Sequence, residues 1–590
     1  MKQKRFSGIC LWIILFIIVG GVQSAWTFTP NEFVEVELTG PVNEKQELYE
    51  FIFPRFRTMK QYLDLMEKAR DDRDVAGIVL HISQPQIGWA KIQQLRRSIL
   101  DFRQSGKKAF AIITGESVPA YLVACACDEI MLFPSSPLML SGIRIESYYL
   151  KDLLSKVGVM VDTIPIGKYK SAAEPFTRSS MSDATREMMT SLLDDYYSQL
   201  ISYLVQDRGL TTDTVVALLD QGPFTPKEAV EKGLVDRLGY EENLYQAIEK
   251  DMPRYIKVVK DYDKPKPQAP KFNIFTLLFK QPASAKPQIQ KKKIAMIVAC
   301  GTIVPGRRED YPFQEEIIAA SDLIEQINEC LEDPNIVAII LRIDSPGGSA
   351  FGSDLIWHTI MKVRKEKPVV ASLSDVAASG GYYIAMAAQK IVAEQGTITG
   401  SIGVITGKVV MEQLFEKIGV NVEVISRGAG SGLFSPSKPF SESQRAAMRK
   451  ISLAIYDDFV DKAAKSRNLE RQTVLSGAEG RVWTGRQALE KKLVDEIGGI
   501  EKAVEQAKIL AGISPGKYLE IEMFPRQLGL FEFIQEMLSG GQFASMNYGL
   551  SPILHPLLAT GSVGKNLVSL ALVFQREPVL TLMPFCIQVK

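Results

Sequence analysis

The stretch IVAIILRIDSPGGSAFGSDLIWHTIMKVRKEKPVVASL, residues 336–373, holds two short apolar runs with an amphipathic segment between them. VAIILRI and KPVVASL are apolar enough on successive residues to be strands covered on both faces. Between them, apolar side chains recur at helical spacing through AFGSDLIWHTIMKVRKE. Strand, crossover helix and second strand predict a parallel sheet and place the chain in the α/β class.

The same pattern occurs earlier, in altered form. VAGIVLHISQP at 75–85 answers IVAIILRIDSP at 336–346, and AYLVACACDEIMLFPSSPLMLSGI at 120–143 answers GYYIAMAAQKIVAEQGTITGSIGV at 381–404. LLSKVGVMVDTIPIG from 153 answers LFEKIGVNVEVISRG from 414, and all three pairs stand 261 residues apart. After a two-residue slip, FTPKEAVEKGLVDRLG at 224–239 answers WTGRQALEKKLVDEIG at 483–498. A register held over such a length marks a tandem duplication. The expected organisation is a membrane segment at 1–28, a first repeat at 32–250 and a Pro/Lys-rich linker at 251–291. A second repeat follows at 292–510, and an extension without a repeat partner at 511–590.

The two copies differ where chemistry is at stake. The second has the glycine turn DSPGGS at 344–349 and Ser379-Gly380-Gly381; the first has SQPQIGW and Val118-Pro119-Ala120 there. Conversely, the first reads GKYKSAAEPF from Gly167 and the second GAGSGLFSPS from Gly428, so Lys170 stands opposite Ser431. This complementary loss points to one composite site, with a serine from the second half and a lysine from the first. A serine nucleophile needs a base. The three histidines do not supply one: His81 falls on a predicted strand of the first half, His358 inside a helix and His555 in the tail. A lysine base must have its pKa lowered, by burial or a nearby cation, to work at neutral pH. Gly380 and either Gly347 or Gly348 are candidate oxyanion donors, and the hydroxyl of Ser401 is placed to orient the lysine.

Composition narrows the field. The chain has 590 residues, 46% of them hydrophobic, and a net charge of +1 from 69 basic and 68 acidic residues, without the basic excess of a nucleic-acid binder. Six cysteines (10, 125, 127, 300, 330 and 586) lack metal or disulfide spacing and read as buried thiols. MKQKRFSGICLWIILFIIVGGVQSAW, with Lys2, Lys4 and Arg5 ahead of an apolar core, reads as an export signal. An uncleaved anchor is favoured over a cleaved peptide, with its basic end cytoplasmic.

YKSAAEPF, DSPGGS, AASGGYY and GTITGSIGV together resemble the signal peptide peptidase A (protease IV) family in its long tandem-repeat form. The resemblance runs from the N-terminal segment to LMPF near the end, and implies Lys170, not Lys168, as general base. Ser379 would be the nucleophile, Ser401 the lysine-supporting residue, and Gly347, Gly348 and Gly380 the glycines at the oxyanion. It further implies tandem spiral ββα domains of the Clp protease and crotonase superfamily, without metal or nucleotide cofactor. The implied substrates are hydrophobic peptides, the remnants of cleaved signal peptides. The implied assembly is a homotetramer on the outer face of a bacterial inner membrane. The competing readings are a crotonase-like acyl-CoA enzyme and an inactive membrane scaffold.

Overall fold

The computed structural model describes residues 31–46, 56–115, 117–251, 255–262, 291–311, 314, 316–428, 430–526 and 579–583. The apolar N-terminal segment, most of the linker, His555, Cys10 and Cys586 lie outside the described residues. Among the described residues, no helix is long and apolar enough to cross a membrane.

The first half forms a wholly parallel sheet from β1 (Glu32–Pro41), β2 (Val75–Gln86), β3 (Lys108–Ile113), β4 (Glu129–Leu132), β6 (Arg237–Leu238) and β7 (Lys257–Val259), in the order β6-β4-β3-β2-β1-β7. One strand of this half, β5 (Met160–Ile166), lies outside that sheet. In the second half, β8 (Lys293–Cys300), β11 (Ile336–Ser345), β13 (Val369–Ala378), β14 (Lys390–Ala393), β15 (Ile398–Gly400), β17 (Val482–Thr484), β18 (Glu496–Ile497) and β19 (Glu520–Phe524) form an eight-stranded sheet, parallel except where β15 meets β17. The opening stretch is therefore β11, a helix at Ala350–Val363 and β13, paired in parallel as its apolar runs predict. The architecture is α/β with parallel-sheet cores.

A third sheet joins the halves. It runs β10 (Ile317–Ala319), β9 (Thr302–Val304), β12 (Gly347–Ser349), β20 (Val579–Leu582), β16 (Val404–Val410) and then β5 of the first half. The residues after 511, for which the sequence offers no structural reading, thus supply two strands: β19 extends the parallel sheet beside β8, and β20 lies between β12 and β16. β20 has no counterpart in the first half, whereas β19 takes the edge beside β8 that β7 takes beside β1, with Glu520 opposite Lys293 as Lys257 is opposite Glu32.

Buried charge also ties the halves together. Glu44 receives bonds from Arg342 at 2.6 and 3.0 Å and from Ser374, with Glu44 and Arg342 both inaccessible to solvent. Burial pushes the Glu44 carboxyl up, but Arg342, Lys91 and Ser374 outweigh it and bring it down to about 2. From the helix Trp89–Gln104, Lys91 reaches Asp344 at 2.9 Å and Asp375 at 3.1 Å. First-half side chains therefore brace the strand ends that lead to DSPGGS and to Ser379.

Candidate active site

β5 pairs antiparallel with β16 from Val404 opposite Ile166 to Val410 opposite Met160. The chain then turns at Gly167, where φ is 110°, and carries Lys170 into the interior of the other half. Lys170 Nζ lies 2.7 Å from Ser379 Oγ and 3.1 Å from both the carbonyl and the hydroxyl oxygen of Ser401. All three residues are buried, and desolvation pushes Lys170 well below the ordinary lysine range. A neutral amine against a serine hydroxyl can accept its proton.

Ser379 follows the last residue of β13 and stands at the N-cap position of the helix Gly380–Ala385. Its φ of 56° is rare for a residue with a side chain; the bonds Ser379 N–H to Gly400 O and Tyr383 N–H to Ser379 O, each 2.8 Å, hold it there. Gly380 is the first helical residue, so its N–H has no acceptor within the helix. Gly347 stands beside it: a Cβ there would lie 2.7 Å from Gly380 N and 2.1 Å from Thr581 O, and φ is 104°. Gly348, with φ 150°, is turned against Ile303 instead. Of the two glycines that the sequence left open, Gly347 shares the space around Gly380 N.

The remaining sequence candidates stand apart from this cluster. Lys168 is exposed and bonds Tyr169 and Glu187. His81 lies on β2 beside Glu35 and Tyr245, and His358 is exposed on its helix. Glu35, His81 and Glu241 bring ligand atoms within 4.8 Å of one another, but Lys260 already pairs with both acids.

The sequence reading missed a clamp at Glu479–Arg481. Tyr169 N–H donates to Glu479 O at 2.8 Å, Ser401 N–H to Arg481 O at 2.7 Å, and Gly480 N–H to Ile402 O at 2.8 Å. A Cβ on Gly480 would come within 2.7 Å of the Lys170 backbone, so this segment sets where the lysine sits against Ser401. The only local signal was a glycine just ahead of RVWTG, which is weak alone.

Ser379 and Lys170 thus share one buried cluster beside the N-terminus of the helix Gly380–Ala385 and the glycine turn at Gly347. Peptidase family S49 matches the chain twice, at residues 101–253 and 361–514. The chain is 36% identical over 468 residues to "Serine protease SPPA, chloroplastic" of Arabidopsis thaliana, covering 78% of this chain and 67% of that one. It is 28% identical over 514 residues to "Protease 4" of Salmonella typhi, with 85% and 80% covered. Against "Protease 4" of Haemophilus influenzae it is 29% identical over 462 residues, with 75% and 72% covered. The chain belongs to peptidase family S49 and is a serine protease.

Proposed function

We propose that the protein is a membrane-anchored endopeptidase that works through a Ser379–Lys170 dyad on hydrophobic peptides, including remnants of cleaved signal peptides. The observation that carries the dyad is the 2.7 Å approach of Lys170 Nζ to Ser379 Oγ, with burial depressing the lysine. Ser379 attacks the scissile carbonyl while its hydroxyl proton passes to Lys170 Nζ. The Gly380 N–H receives the oxyanion, joined by the Gly347 N–H as it gives up its 3.2 Å bond to Ser345 Oγ, and Ser401 orients the amine. Lys170 then protonates the departing amine as the C–N bond breaks, leaving an ester on Ser379. Water, deprotonated by Lys170, hydrolyses that ester and regenerates the serine.

Residues 1–28 are the anchor in this reading, with the body on the outer face of a bacterial inner membrane and the chains assembled as a homotetramer. The repeats would occupy 32–250 and 292–510, joined by the linker 251–291 and followed by the extension 511–590. Each repeat would be a ββα spiral of the Clp protease and crotonase kind. The repeated strand–helix order and the glycine turn after β11 support that fold. Ser379→Ala and Lys170→Ala should each abolish peptide cleavage in folded protein, while Lys168→Ala largely spares it; full activity in Ser379→Ala sinks the assignment.

A further inference from the structure

The duplication leaves one strand of each half without its partner, and we infer that a second copy of this chain supplies it. The copies correspond element by element. Helix Lys151–Val157 has its copy at Glu412–Ile418, 261 residues on, and Asp183–Arg208 has its copy at Glu442–Arg467, 259 on after the slip. The two seven-residue strands at the join of the halves break the rule. The copy of β5 is residues 421–427, NVEVISR, and the copy of β16 is residues 143–149, IRIESYY. Neither segment is a strand, and among the described residues neither makes a backbone–backbone hydrogen bond.

β5 and β16 are the pair that joins the halves within the chain. Their copies are thus a free donor strand on one half and a free acceptor strand on the other. Ile164 of β5 is 3% exposed, whereas its copy Ile425 is 94% exposed, with Val422 at 48% and Val424 at 66%. Along 143–149 exposure alternates residue by residue, as on a sheet edge with one face packed. Elsewhere on this join, Leu414 N–H donates to Gly158 O at 2.9 Å, while the copy of that glycine, Gly419, faces open space.

Charge follows the same logic. At the intrachain join, Arg445 pairs with buried Asp162 on β5. By the register of each segment, the copy of Asp162 is Glu423 and the copy of Arg445 is Arg186. Both are exposed, and among the described residues neither has an ion-pair partner. Strand 421–427 of one copy therefore adds antiparallel to 143–149 of the next, setting Ile425 opposite Ile145, Ser426 opposite Arg144 and Glu423 within reach of Arg186. The contact is head to tail, so each chain carries one donor and one acceptor, and copies close into a ring. It supplies the contact for the assembly proposed above, rests on that reading only for the number of copies, and is independent of the dyad.

The test is cysteine pairing in the full chain, held in detergent. Ile145→Cys with Ile425→Cys, and Arg144→Cys with Ser426→Cys, sample two adjacent cross-strand pairs. One of them falls in the closely spaced, about 4.5 Å class that suits a disulfide. The expected result is a ladder of covalent dimers and higher species on a non-reducing gel, with none from the off-register pair Ile145→Cys and Val422→Cys. Glu423→Arg should weaken assembly about tenfold or more, and adding Arg186→Glu should restore it, as read by sedimentation. Chains that assemble without crosslinking at either pair would overturn the strand contact and leave the assembly standing. A monomer of 65.6 kDa at all concentrations would overturn both.

Discussion

Lys170 Nζ and Ser379 Oγ stand 2.7 Å apart although 209 positions separate them in the chain, and desolvation is what depresses the lysine. The rate should therefore rise with pH as Lys170 loses its proton, with a midpoint well below the ordinary value of about 10.4. Lys170→Arg keeps a cation in place but cannot accept a proton, so activity should fall to background. An acidic limb in kcat/KM that stays at the ordinary lysine position would contradict the assignment.

The same group has a signature in stability. The unfolded chain binds the Lys170 proton more tightly than the folded one, so stability from this site is complete above about pH 10.4 and declines as pH falls toward the depressed value. Lys170→Met removes that dependence. It should be inactive yet melt higher than the parent at neutral pH, as calorimetry can read.

Gly347→Ala places a methyl 2.1 Å from Thr581 O and 2.7 Å from Gly380 N at a φ of 104°. Cleavage should drop by about 10²–10³, the scale of a lost oxyanion donor. Gly430→Ala, which meets nothing within 4 Å, should leave kcat unchanged. Equal losses in the two variants would remove the oxyanion role.

Ser401→Ala deletes one of the two oxygens that Ser401 offers Lys170 and leaves the carbonyl at 3.1 Å. Lys170 becomes charged as it takes the Ser379 proton, and a hydrogen bond to a charged group contributes about 1.5–3 kcal/mol, so kcat should fall by about 10- to 100-fold without abolition. A change in KM alone would mean that Ser401 acts on binding instead.

Glu44→Gln leaves Arg342 buried with its main partner neutralised, which should cost about 3–5 kcal/mol of stability. In the parent, the Glu44 carboxyl sits at about 2 against 4.5 in the ordinary state. Its contribution is present above about pH 4.5 and lost as pH falls toward 2. Melting curves of the variant should be flatter across that acid range than those of the parent.

Much of the fold was legible because its signals are local or periodic. The apolar runs of β11 and β13, with the helix between them, announce a buried parallel sheet. The duplication exposed the site because comparison of the copies separates the residues each half lost from those it kept. The Glu479–Arg481 clamp was not legible, since its hydrogen bonds come from backbone groups that every residue carries. Nor was β20, a four-residue strand with no copy to compare.

The sequence alone determined the α/β class, the repeat and the complementary distribution of Lys170 and Ser379, because hydrophobic period and sequence register are properties of the linear chain. Only the tertiary structure decided that both residues meet within one chain, and that Gly347, not Gly348, stands beside Gly380. Strand pairing across the halves settles the first, because β5 must add to β16 before the lysine can reach the serine. Backbone direction at consecutive glycines settles the second, and glycine, lacking a Cβ, leaves no mark of that direction in the sequence.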